Sequence, residues 1–174
     1  KVGPEYWQAA AESGLEWVRL APDKWTAGHH DFLIGDADRY TGLRAEDLAR
    51  LIEVLDDADE AGVKVVLTLL SLPGCRWKQH NNDQDDARLW ASEAFQEQAA
   101  AVWRDLSARL AGHPALVGLN PLNEPHPEKA DGLEIDSPGF PAWLEKHRGT
   151  TADLDRFNRN MLAAIRANAP DLPV

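Results

Sequence analysis

At 174 residues, 44% hydrophobic and 27% charged, the chain is long enough for one domain with a substantial core and too apolar to be disordered. Its 18 lysines and arginines face 29 acids, a formal charge of −11. That balance argues against nucleic acid or an anionic membrane surface as partner, since both need clustered cations, and it fits a neutral substrate. Cys75 is the single cysteine, so no internal disulfide framework is possible. No apolar run approaches the ~20 residues of a membrane-spanning helix. No signal peptide is visible, which leaves localisation open between secretion and the bacterial cytoplasm or periplasm, with any leader outside these residues.

In chain order, Pro4 to Ser13 reads as a short helix with Trp7, Ala10 and Ala11 on one side, and Gly14 suits the left-handed stop after it. Leu15 to Leu20, apolar apart from Glu16 and Arg19, reads as a strand. Ala21 to Gly42 follows as a long polar connection with Trp25, His29, His30 and several aspartates, and a loop of that length is usually functional or disordered. Arg44 to Ala61 is the clearest helix: Leu48, Leu51, Ile52, Leu55 and Ala58 recur at three- and four-residue steps. After Gly62, Val63 to Leu72 is a nearly unbroken Val/Leu run, as expected of a central parallel strand buried on both faces. Pro73-Gly74 stops it, and a second polar loop, Cys75 to Asp86, carries Trp77 and His80.

Ser92 to Leu110 is the next helix, with Phe95, Ala99, Val102, Trp103, Leu106 and Leu110 on one face. Gly112-His113-Pro114 leads into a strand-like run from Ala115 that ends in Asn123-Glu124-Pro125. A carboxylate at the carboxyl end of a buried strand is costly unless chemistry needs it there. A third long loop, rich in Pro, Gly and acids, follows. Thr151 is positioned to cap a last helix whose inner face is Leu154, Phe157, Met161 and Ile165, and Leu172-Pro173-Val174 reads as the start of another strand. The alternation of helices and buried strands implies βαβ units and a parallel sheet. The long loops follow the strands and the helix-to-strand turns are short, as in a (β/α) barrel that works from its carboxyl-end face. A Rossmann sheet is the rival arrangement, but no Gly-rich turn follows the first strand.

Asn123-Glu124-Pro125 after a strand, preceded by His113-Pro114-Ala115, resembles the retaining glycoside hydrolases of family 5, the cellulase and mannanase type of clan A. Trp17-Val18-Arg19-Leu20 is similar to that family's second strand, Ala61 to Leu67 to its third, and Leu72-Pro73-Gly74 to the loop after it. The resemblance implies a (β/α)8 TIM barrel, of which residues 1–174 would form one partial domain holding strands 2 to 4. It further implies a retaining β-glycosidase acting on β-1,4-linked glucan, mannan or related oligosaccharides. Glu124 would be the general acid/base. Asn123 would hydrogen-bond the sugar hydroxyl beside the anomeric carbon, and Arg19 would orient the catalytic carboxylates. The family usually carries a His three residues before the loop Pro, where this chain has Leu70. The family's nucleophilic Glu follows the seventh strand, so the C-terminal half of the barrel would be needed for closure and for the second carboxylate.

Retaining cleavage requires two carboxyl groups roughly 5–5.5 Å apart, one attacking and one exchanging a proton with the leaving oxygen and then with water. A partly desolvated Glu124 suits the second role, whereas Asp23, Asp31, Asp36, Asp38, Asp83, Asp85 and Asp86 all fall in polar loops and offer no nucleophile. His126, two residues past Glu124, is a candidate substrate ligand, and Trp25, Trp77 and Trp143 are candidates for stacking on sugar rings. Trp7, Trp17, Trp90 and Trp103 are expected in the core. His29, His30 and His80 match no metal-ligand spacing, so neither a metal nor a cofactor is expected. Two other readings stay open: a non-catalytic carbohydrate-binding barrel, favoured by Leu70, and an inactive half-barrel.

Overall fold

A computed structural model describes residues 2–24 and 30–174. Trp25 and His29, both named above, lie outside the described residues. The elements run α1 (Pro4–Glu12), β1 (Trp17–Leu20), α2 (Ala45–Glu60), β2 (Lys64–Thr68), α3 (Glu93–Leu110), β3 (Leu116–Asn120), α4 (Phe140–His147) and α5 (Leu154–Arg166), with short 3-10 turns in the loops.

The three strands form one parallel sheet in the order β1-β2-β3, with Trp17 opposite Lys64 and Leu20 opposite Leu67. The pairing of β2 with β3 slips between Val65 and Val66, so Val65 faces Leu116 while Val66 faces Gly118. All three carboxyl ends therefore lie at one edge, where the loops to the functional groups begin. Each parallel crossover needs a covering helix, and α2 and α3 supply them. Their periodic faces are buried as expected: Leu51, Leu55 and Ala58 from α2, and Val102, Trp103, Leu106 and Leu110 from α3, pack with Val65, Leu67 and Leu119 of the sheet into one core. At roughly 1.5–3 kcal/mol per buried large side chain, this cluster is the main source of stability. Helix α5 lays Phe157, Met161 and Ile165 into the same core and packs against α3.

Several expectations need correction. Strand β2 stops at Thr68 rather than Leu72, because the next residues bend: Leu70 and Ser71 give their N–H groups to the Asp23 carboxylate and Leu72 pairs with Cys75 across a tight turn. Trp17 is not core but 57% exposed. It shares a strand face with Arg19, and alternation sends Val18 and Leu20 to the helices instead. The connection from Ala21 to Gly42 is not simply polar, for Phe32, Leu33, Ile34 and Ala37 are buried in the core. The α5 cap is Asp153, whose side chain accepts the N–H groups of Asp155 and Arg156, while Thr151 donates its hydroxyl to the Trp90 carbonyl 2.7 Å away. A short helix, α4, interrupts the third long loop, with Pro141 in its first turn. Leu172–Val174 is not a strand, although the Pro173 carbonyl accepts the Leu119 N–H at 2.9 Å along the free edge of β3.

Candidate active site

Glu124 follows β3 in a turn rather than on the strand itself, and its backbone lies in the left-handed region at φ 46°. A residue with a Cβ pays of order 1–3 kcal/mol for such a conformation unless its surroundings over-determine it. The surroundings here do so through Asn123. Its N–H donates to the Leu69 carbonyl at 2.8 Å, and its side-chain Oδ1 accepts from Arg19 Nη2 at 2.9 Å. Arg19 therefore pairs with Asn123 and forms no ion pair with Glu124 among the described residues. Because a guanidinium only donates, it also fixes which way the Asn123 amide points: oxygen toward Arg19, NH2 group away from it. Glu124 itself is exposed rather than partly desolvated.

Glu124 and Asn123 sit on the rim of a cleft of about 320 Å³ between the loop after β2 and the loop after β3. Leu70, Trp77, Trp90, His126 and Lys129 help line it. Trp77 and His126 are thus brought to Glu124, and the sequence position resembling the family's His presents the Leu70 side chain. Trp143 is not: it is buried between Phe140 and His147, with ring centroids 5.9 and 4.5 Å away, donates its indole N–H to Asp131, and lines a separate groove. His126 is held by a partner the sequence did not reveal. Its Nδ1 lies 2.8 Å from Oε1 of Glu128, a carboxylate only 2% exposed. A carboxylate acceptor at Nδ1 favours the tautomer with the proton there and leaves Nε2 as the ring's other polar atom.

The loops framing the cleft are tied by charge. Arg76 bonds both carboxylate oxygens of Asp31 at 3.2 and 3.3 Å and reaches Asp38 at 3.1 Å, joining the loop after β1 to the loop after β2. Arg88 bridges Asp38 and Asp86, and Lys129 crosses from the loop after β3 to Asp85. Hydrogen bonds from Arg76 and Arg88 hold the Asp38 carboxyl below its usual range. Cys75 lines the same cleft, but burial pushes its thiol up to about 12, which makes it a poor nucleophile. Among the described residues no group of three or more His, Cys, Asp or Glu could hold a metal ion, and no helix is long and apolar enough to cross a membrane.

Asp23 also departs from its expected place. It is not in a polar loop but 4% exposed, beneath the end of β2. Its Oδ2 accepts the N–H groups of Leu70 at 2.5 Å and Ser71 at 2.7 Å, and burial pushes its carboxyl up to about 6 against the opposing pull of those bonds. Asp23 carries no sequence signal, because its partners lie 47 and 48 residues away, whereas Glu128 stands two residues from His126 and only its burial is hidden from the sequence.

A family model described as Cellulase (glycosyl hydrolase family 5) matches residues 4–174. Among curated proteins, a beta-xylosidase of Phanerodontia chrysosporium is 29% identical over 85 residues, which is 48% of this chain and 18% of that protein. Among solved structures, a Pseudomonas stutzeri endoglucanase aligns over 97% of this chain and 40% of its own, at 23% identity and a TM-score of 0.60. An exo-beta-1,4-mannosidase from an Opitutaceae bacterium aligns over 97% of this chain and 26% of its own, at 23% identity and a TM-score of 0.61. At such identities the likeness is one of fold: the parallel sheet and its helices are part of a TIM barrel. The chain spans less than half the length of each of these relatives.

Proposed function

The chain belongs to glycosyl hydrolase family 5, the cellulase family, and from that premise we propose that it supplies the acid/base side of a retaining β-glycosidase acting on β-1,4-linked glucan, mannan or related oligosaccharides. The observation that carries this reading is the placement of Glu124: a strained, exposed carboxylate at the carboxyl end of a barrel strand, on the rim of a cleft, behind an asparagine locked by Arg19. Functional groups of TIM barrels collect at that end of the strands, and backbone strain clusters at working residues.

In this reading Glu124 protonates the glycosidic oxygen as a second carboxylate attacks the anomeric carbon. It then takes a proton from the water that releases the sugar. The Asn123 amide N–H group donates to the hydroxyl beside the anomeric carbon. Trp77 offers an apolar face to a sugar ring, and His126, oriented by Glu128, offers a polar one. The second carboxylate comes from outside these residues, in the half of the barrel that closes over the open sheet face. In support, two of the acids lining the cleft, Asp85 and Asp86, are already engaged by Lys129 and Arg88.

Glu124→Gln in the full-length protein tests this. Hydrolysis of an aryl β-glycoside with a poor leaving group is expected to fall by roughly 10²–10⁴-fold, and near wild-type turnover would remove Glu124 from the role. Leu70 in the cleft favours a second reading, a barrel that binds oligosaccharides without cleaving them. Saturable binding of cello- or manno-oligosaccharides by a full-length wild type that releases no sugar would select it.

A further inference from the structure

We propose that Asp23, which does not line the cleft, is a positioning residue that keeps Glu124 in working geometry by gripping the end of β2; the proposal rests on the reading of Glu124 as the acid/base. Three consecutive residues, Leu69-Leu70-Ser71, follow β2, and each is held. Asp23 Oδ2 takes the N–H groups of Leu70 and Ser71. The Leu69 carbonyl takes the N–H of Asn123, and the Ser71 hydroxyl oxygen takes the N–H of Trp77, at 2.8 Å each. The grip on one side of the tripeptide therefore sets the position of Asn123 and of the Trp77 loop on the other.

Glu124 depends on this arrangement more than an unstrained residue would. Its φ of 46° relaxes toward ordinary values once the constraint on Asn123 loosens. A shift of about 1 Å at a catalytic group is enough to cost on the order of 10²-fold in rate. The chemistry of Asp23 also argues for more than packing. Its carboxylate is almost wholly buried, and among the described residues its Oδ1 finds no hydrogen-bond partner. Its two backbone hydrogen bonds offset that desolvation cost only in part. The two N–H groups it accepts lie 47 and 48 residues away in sequence, so it does not serve its own loop.

The test uses the full-length enzyme, with rates normalised to the folded fraction read by circular dichroism. Asp23→Ala leaves two buried N–H groups without an acceptor, and kcat is expected to fall roughly 10²-fold with KM within about threefold of wild type. Asp23→Asn keeps a side-chain oxygen in place and is expected to restore kcat to within about fivefold. A role in stability alone would lower the folded fraction and leave kcat per folded molecule unchanged. Wild-type kcat in Asp23→Ala overturns the proposal, and so does an Asp23→Asn enzyme as slow as the alanine variant. If Asp23→Ala does not fold, Asp23→Ser, whose hydroxyl is too short to hold both N–H groups, is read by the same criteria. A fully active Asp23→Ala beside a dead Glu124→Gln overturns the positioning role alone, whereas an active Glu124→Gln overturns both readings.

Discussion

Arg19, in the last turn of pleat of β1, donates to the side-chain oxygen of Asn123 across a sequence separation of 104 residues, and the bond is 2.9 Å long. It ties the carboxyl end of the first strand of this sheet to the residue before Glu124. The bond also orients the Asn123 amide, turning its oxygen toward Arg19 and leaving the NH2 group able to donate.

Removing that bond should therefore act on substrate handling more than on folding, since Arg19 is exposed. In the full-length protein Arg19→Ala is expected to lower kcat/KM for an aryl β-glycoside at least tenfold, as Asn123 becomes free to rotate; a loss of about 1.4 kcal/mol corresponds to that factor. Steady-state kinetics with a thermal melt in parallel checks it. A drop in melting temperature with unchanged kcat/KM would contradict the assignment.

Glu124 should be less stable where it is than a glycine would be. At φ 46° a Cβ is penalised, and glycine removes the penalty at some entropic cost. Glu124→Gly is expected to gain about 0.5–1 kcal/mol net, or roughly 1–4 °C in melting temperature, while losing activity. Glu124→Ala loses activity too but keeps the Cβ, so it gains no stability. Differential scanning calorimetry on the pair separates strain relief from the loss of charge.

The stability contributed by Asp23 should depend on pH in a stated direction. Burial raises its carboxyl from the ordinary 3.8 to about 6, so the native state holds the proton more tightly than the unfolded chain. Its contribution is then fully present below about 3.8 and is lost as pH rises through about 6. At about 1.4 kcal/mol per unit the loss approaches 3 kcal/mol by pH 7. Asp23→Asn does not ionise, so its advantage over wild type is expected to grow between pH 4 and 7 and to vanish at the acid end. Urea melts at the two pH values measure it. A constant difference would show that ionisation of Asp23 is not coupled to folding.

Much of the fold is legible in the sequence because its signals are local. The three- and four-residue spacing in α2 and α3, the Val/Leu run of β2 and the glycines at the ends of α1 and α2 each report on a few neighbouring residues. The barrel-like order of elements follows from them. The exposure of Trp17 and the burial of Phe32–Ile34 are not legible in the sequence, for the opposite reason. Whether a large apolar residue is covered depends on what packs over its face, and that is settled by elements distant in sequence.

The site divides in the same way. The sequence alone determines that an Asn-Glu-Pro ends an apolar run, and therefore that a carboxylate stands at a strand end. Only the tertiary structure decides how that carboxylate is held: the positive φ of Glu124, the pairing of Arg19 with Asn123 rather than with Glu124, the buried Glu128 behind His126, and Asp23 beneath the end of β2. For the pairing of Arg19 with Asn123 and of Asp23 with the end of β2, the physical reason is separation along the chain. Residue type and spacing set which groups are available and which face they take, whereas hydrogen-bond partners 47 to 104 residues apart are chosen by the packing of helices and strands that brings them within 3 Å.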